Sequence, residues 1–150
     1  MAEYKTEFRS PFTVAGLATR TSNSRPDQIG ALWQEFYGRN VLAQIPNKKS
    51  DDVFSVYIDY ESDHTGPYTL IIGCEVEGGA VVSEGLVKKK IPGAKFAVFD
   101  ANGKQPDTLI STWLKIPGMN LGRTFSGDFD LYKNELGKTQ PDVRVFVAIE

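Results

Sequence analysis

Trp33 and Trp113 stand 80 residues apart, and each lies on an apolar stripe with helical spacing. Around the first, Ile29, Leu32, Trp33 and Phe36 recur at i, i+3, i+4 and i+7. Around the second, Leu109, Ile110, Trp113 and Leu114 share one stripe. A β-prone run precedes each stripe, at residues 12–19 and 94–99. Two more follow each, at 53–61 and 68–76 in the first half and at 127–132 and 143–149 in the second. The order strand, helix, strand, strand is therefore written twice. Neither copy covers its own sheet face well, whereas two together build one core. The expectation is an α+β fold: duplicated strand-helix-strand-strand units forming one curved, mostly antiparallel sheet with two packed helices. Residues 1–150 then make a single domain with pseudo-repeats at about 8–77 and 78–150. A chain of 150 residues is long enough to fold on its core alone, without disulfide or metal.

Local signals set the boundaries. Pro26-Asp27 opens the first helix with a proline in the first turn and an acid at the positive end of the dipole, and Gly38 ends it. Pro106-Asp107 and Pro117-Gly118 do the same for the second. Residues 39–52 read as a polar connector. In residues 53–61 period two puts Phe54, Val56, Ile58 and Tyr60 on one face and Ser55, Tyr57, Asp59 and Glu61 on the other. A loop of about six residues around Gly66-Pro67 turns this run into the next as an antiparallel hairpin. A short strand fits Ala80-Val81-Val82, and Pro141-Asp142 leads into the last strand.

The side-chain inventory narrows the chemistry. Lys plus Arg number 17 against 19 Asp plus Glu, for a net charge of −2, and the densest basic run is Lys88-Lys89-Lys90. That is no footprint for a duplex, so direct nucleic-acid binding is not expected. One histidine, His64, and one cysteine, Cys74, cannot build a His/Cys metal site. His64 sits in a polar turn, and Cys74 lies among Ile71, Ile72 and Val76 as a small buried hydrophobe. No phosphate loop or nucleophile elbow occurs. No apolar run approaches about 18 residues, and Met1–Lys5 lacks the apolar core of a signal peptide. The reading is a cytoplasmic protein with no cofactor, no metal and no catalytic residues.

Two features rise above this background. Aromatics number 17, and acids interrupt β-prone runs: Asp59, Glu75 in Gly73-Cys74-Glu75-Val76, and Asp130 in Phe129-Asp130-Leu131-Tyr132. Period two could simply put each acid in solvent. The alternative is a cleft at the seam between halves, with a carboxylate withdrawn from water. Such a group needs a partner. A bulky organic cation supplies one, and ring faces around it add roughly 0.5–2 kcal/mol each.

The run Val56-Tyr57-Ile58-Asp59-Tyr60-Glu61 followed by Tyr68–Val76, with its Tyr-x-x-x-x-Gly-x-Glu-Val pattern, resembles the central hairpin of GyrI-like effector-binding domains. Residues 127–132 and 143–149 are similar to their last two strands. In length and pattern the chain resembles the integron-associated effector-binding proteins. Relatives form the drug-sensing halves of multidrug-responsive transcription activators. The resemblance implies the duplicated fold and binding of hydrophobic, often cationic compounds. Many relatives carry Glu in a Phe-Glu-x-Tyr segment deep in the pocket. Here the position is Asp130, one methylene shorter, which withdraws the charge by about 1.5 Å.

The resulting candidate site joins Asp130 and Glu75 as acids with Tyr132, Trp33, Tyr37, Trp113, Tyr57 and Tyr68 as walls; Asp128 shares the face of Asp130. The leading expectation is a standalone binder of hydrophobic, cationic small molecules that performs no chemistry. A first strand from Phe12 leaves little preceding sequence for a helix-turn-helix, so an effect on transcription would pass through a partner or through sequestering ligand. The second reading is a protein-interaction module, such as a gyrase-inhibitor-like factor, or a homodimer. The third is a small-molecule hydrolase that uses a carboxylate of raised pKa as general base.

Overall fold

Two links of two residues each set the shape of this protein. The computed structural model describes residues 4–133 and 142–150. It contains strands β1 (Lys5–Arg9), β2 (Phe12–Thr21), β3 (Val53–Ile58), β4 (Tyr68–Val76), β5 (Val87–Ile91), β6 (Ala94–Asp100), β7 (Asp128–Lys133) and β8 (Asp142–Ile149). Helices α1 (Pro26–Gly38), α2 (Val41–Gln44) and α3 (Asp107–Lys115) accompany them, and a 3-10 turn, Ile116–Gly118, follows α3. All eight strands form one antiparallel sheet in the order β1-β6-β8-β7-β3-β4-β2-β5. Only Ser10-Pro11 joins β1 to β2, and only Pro92-Gly93 joins β5 to β6. Two such residues span at most about 10 Å. In a flat sheet the same strands would stand six places apart, roughly 29 Å. The sheet must therefore curl until its edges meet at that end.

Contacts across the concave face follow from the curl. Phe12 of β2 lies 5.3 Å from Phe129 of β7, ring to ring, and Phe129 stacks on Phe146 of β8 at 4.5 Å. Arg9 at the end of β1 covers the rings of Phe12, Phe129 and Phe146. Phe54, Val56, Ile71, Phe96 and Leu131 complete this core. The other face carries the helices. Leu32 and Phe36 of α1 pack on Leu17, Leu70 and Ile72, while Leu109 and Trp113 of α3 pack on Val143, Val145 and Val147.

Gly16 and Gly73 face each other across β2 and β4. A Cβ on either would strike the backbone of the opposite strand, so the close approach of these strands requires glycine at both. Gly73→Ala is expected to destabilise by about 2–3 kcal/mol through overpacking. Urea unfolding checks this; a midpoint equal to that of the native protein would refute it.

The α+β class, the curved antiparallel sheet and both expected helices are present, and several details differ. Strands β1 and β5 lie on edges, where exposed KTEFR and the VKKKI run leave no apolar alternation to read. The strand expected at Ala80-Val81-Val82 is coil between two turns instead. The connector at 39–52 contains α2. The hairpin loop runs over residues 59–67 rather than about six, because β3 stops at Ile58. Asp59 takes a left-handed φ of 53°, which breaks the alternation. Tyr60 consequently packs with the helix-side core, opposite to Phe54, Val56 and Ile58. In α3 only Leu109 and Trp113 reach the sheet; Ile110 and Leu114 are 53% and 76% exposed. Pro141 lies outside the described residues.

Candidate functional site

The two central strands, β3 and β7, pair from Val53↔Tyr132 to Tyr57↔Asp128. On the helix-bearing face this seam presents Asp128, Asp130 and Tyr132 from β7 and Tyr57 from β3. Trp33 approaches from α1 and Trp113 from α3.

Asp130 is wholly buried. The Tyr57 hydroxyl donates to its Oδ2 at 2.5 Å, and Trp113 Nε1 donates to its Oδ1 at 2.7 Å. Burial pushes this carboxyl up to about 7, against the two hydrogen bonds that favour its ionised form; the charge of Asp128 adds to the rise. Tyr57 meets Trp113 edge-on at 5.2 Å and Tyr68 at 5.5 Å. Tyr68 is buried and spends its hydroxyl on Asn23 Oδ1 at 2.8 Å. Burial raises the Tyr57 hydroxyl well above its ordinary range.

A second ring group adjoins the first. Trp33 meets Tyr132 edge-on at 5.4 Å and stacks with Tyr37 at 6.0 Å. Tyr132 packs against both helix-side cores, so it bridges the groups. Tyr37 is 62% exposed and forms the outer rim. Six of the eight residues expected from sequence, Trp33, Tyr57, Tyr68, Trp113, Asp130 and Tyr132, thus form one aromatic wall around one carboxyl, with Tyr37 at its edge. Glu75 stands apart. It projects from β4 on the concave face, 3.9 Å from Arg9 and 3.6 Å from Lys49. Because β-strand parity separates odd from even positions, Glu75 and Asp130 do not share a space.

Sequence reasoning put Asp128 on this face but overlooked its partner Arg123. Asp128 is also fully buried, but it is paired: Arg123 Nη2 reaches its Oδ2 at 2.9 Å, Tyr60 donates to the same oxygen at 2.6 Å, and the Ala148 N–H donates to Oδ1 at 2.8 Å. Burial raises this carboxyl, and the Arg123 charge and these hydrogen bonds act against the rise. Arg123 lies between elements, where no periodicity marks it. Its neighbour Phe125 has a left-handed φ of 54° that no sequence pattern announces.

Asp130 is closed over by Tyr57 and Trp113. An open cleft of about 440 Å³ lies elsewhere, by the β5 edge, lined by Pro11, Phe12, Val76, Lys49, Lys88 and Lys90 among others. Its lysines are the wrong sign for a cation. Access to Asp130 requires side-chain movement, and α3 is the lightly held element, since none of its residues is fully buried.

Residues 7–149 match the family described as integron-associated effector binding protein. A putative transcriptional regulator protein of Bacillus subtilis, YobU, is 28% identical over 145 residues, 91% of each chain. Among solved structures, the integron cassette protein VCH_CASS2 from the mobile metagenome of Vibrio cholerae superposes with a TM-score of 0.79 at 27% identity, covering 98% of this chain and 95% of that one. SAV2435, solved bound to tetraphenylphosphonium, also gives 0.79, at 18% identity over 99% of this chain and 94% of that one. At that identity the second likeness speaks for the fold alone.

Proposed function

The chain belongs to the integron-associated effector-binding protein family, and from that premise we propose that it binds hydrophobic small-molecule cations at Asp130, on the seam between α1 and α3, without performing chemistry on them. The observation that carries this reading is a fully buried carboxyl whose hydrogen-bond partners are a phenol and an indole, inside a wall of rings. A carboxylate withdrawn from water is costly unless a cation joins it. A bulky, weakly hydrated cation gains from ring faces at roughly 0.5–2 kcal/mol each. Entry displaces Trp113 from Asp130. The family is characterised by effector binding rather than catalysis, and the neighbouring acid Asp128 is committed to Arg123, Tyr60 and the backbone.

We read residues of about 8–77 and 78–150 as two pseudo-repeats. The strand order supports this: exchanging β1 with β5, β2 with β6, β3 with β7 and β4 with β8 reverses the order without otherwise changing it. The proposed site then lies where the repeats meet.

Tetraphenylphosphonium is expected to quench tryptophan fluorescence saturably, and neutral triphenylphosphine oxide to do so far more weakly. Glu75→Gln should leave the cation's affinity unchanged, because Glu75 lies on the concave face beside Arg9 and Lys49. Absence of saturable quenching by the cation, or equal affinity for the neutral analogue, overturns the reading.

A further inference from the structure

Arg123 poses a question that cation binding alone leaves unanswered. Its side chain is 8% exposed, and Nη2 is used on Asp128. Its Nε and Nη1 are buried and meet no acceptor among the described residues. Leaving charged donors unsatisfied in the interior is among the more expensive arrangements a fold can hold. The guanidinium carbon lies over two rings, 4.3 Å from the centroid of Phe125 and 5.9 Å from that of Trp113. Trp113 is the same residue whose Nε1 covers Asp130. One indole thus borders both an unpaired carboxyl and an unsatisfied guanidinium edge. Their strand positions are close as well: Asp128, which anchors Arg123, and Asp130 are same-face neighbours on β7, about 7 Å apart.

We propose that Arg123 is a specificity-determining residue, and that the ligands this site prefers are lipophilic zwitterions whose anionic or strongly accepting arm pairs with Nε and Nη1 of Arg123 while the cationic centre pairs with Asp130. This rests on the cation reading above and adds a second point of recognition. Displacement of Trp113 uncovers both groups together. A ligand that carries both a cationic centre and an acceptor arm satisfies both, and a simple cation satisfies one. Asp130 takes the ligand's positive centre, and the acceptor arm completes the guanidinium's hydrogen bonds. The fork geometry of arginine matters here, because a lysine presents a point charge without the Nε–Nη edge.

The test uses rhodamine B, a lipophilic zwitterion at neutral pH, its ethyl ester, which is a cation, and tetraphenylphosphonium, which has no acceptor. Affinities are measured by fluorescence and calorimetry on the native chain, on Arg123→Lys and on Arg123→Met. The lysine variant keeps a charge for Asp128 and so guards against failure to fold. Arg123→Lys is expected to weaken rhodamine B by about tenfold, the equivalent of one charge-assisted hydrogen bond, and to leave tetraphenylphosphonium within about twofold. The ester should respond less than rhodamine B. If all three probes respond to Arg123→Lys in parallel, or none does, the inference falls while the cation reading stands. If the native chain binds neither tetraphenylphosphonium nor the ester, the cation reading falls and this inference with it.

Discussion

Asp130→Asn is expected to lower the affinity for tetraphenylphosphonium by about a hundredfold or more at alkaline pH, equivalent to about 3 kcal/mol for a buried charge partner. The substitution is close to isosteric. The amide oxygen can accept from Trp113 Nε1 and the amide nitrogen can donate to the Tyr57 hydroxyl, so the surrounding hydrogen bonds survive the exchange. The same variant should alter two pH profiles. With its carboxyl pushed up to about 7, Asp130 must lose a proton to meet a cation, so affinity in the native protein rises as pH increases towards 7 and levels off above it. Below that value binding releases a proton, which calorimetry in buffers of different ionisation enthalpy would detect. Stability runs the other way. The folded value lies above the ordinary carboxyl value of 3.8, so the native state holds a proton that the unfolded chain has lost between the two. The stabilisation is fully present below the unfolded value. It declines with rising pH by up to about 1.4 kcal/mol per unit, until the folded group has ionised. Asp130→Asn removes that share of the slope, and what remains in the window belongs to Asp128, which burial also raises. Urea unfolding across about pH 4–8 reads it. Unchanged cation affinity in Asp130→Asn would end the case for this carboxyl as the binding group.

Asp128→Ala should behave in the opposite manner, as a stability mutant. It deprives Tyr60 and the Ala148 N–H of their acceptor and strips Arg123 of its counter-charge inside the protein. Breaking one side of a buried pair leaves an uncompensated ion, and the loss is expected to be about 3–5 kcal/mol. Asp128→Ala/Arg123→Met should recover part of it, because the second change removes the stranded charge. Equilibrium unfolding of these two variants and of Arg123→Met forms a double-mutant cycle. A single-variant loss below about 1 kcal/mol would show that the pair contributes little and that the loop carrying Arg123 is held by Phe125 packing instead. Two acids one β-repeat apart on the same strand therefore have separable duties: Asp128 secures the fold and Asp130 stands ready for a ligand.

What could be read from the sequence follows from where each signal lives. Trp33 and Trp113 lie on helical stripes, period two marks β3, and β-prone runs mark β4, β6 and β8, so burial imprinted these elements directly on the order of residues. Strand parity put Asp128, Asp130 and Tyr132 together for the same reason. Edge strands face water, and Lys88, Lys89 and Lys90 could not announce β5. The separation of Glu75 from Asp130 was hidden for a different reason: each acid sits in its own strand, and the relative parity of two strands depends on pairing between distant segments. Here Ser55↔Asp130 and Ser55↔Ile72 set it. Arg123 was invisible because a loop residue acquires its partners from tertiary structure alone.

The crossed edges have a consequence for synthesis. Strand β1 leaves the ribosome well before its partner: Lys5 pairs with Val98 and Arg9 with Ala94, which are made much later. Strand β2 likewise waits for β5 before its outer hydrogen bonds are filled. Until β6 is released, the amino-terminal segment is an unpaired ribbon carrying Phe8, which remains 80% exposed even in the finished fold. Such non-local pairing slows folding and leaves strand edges open to neighbouring chains. A nascent chain arrested before Ala94 should therefore be protease-sensitive at its amino terminus, and become protected only when the second half has emerged.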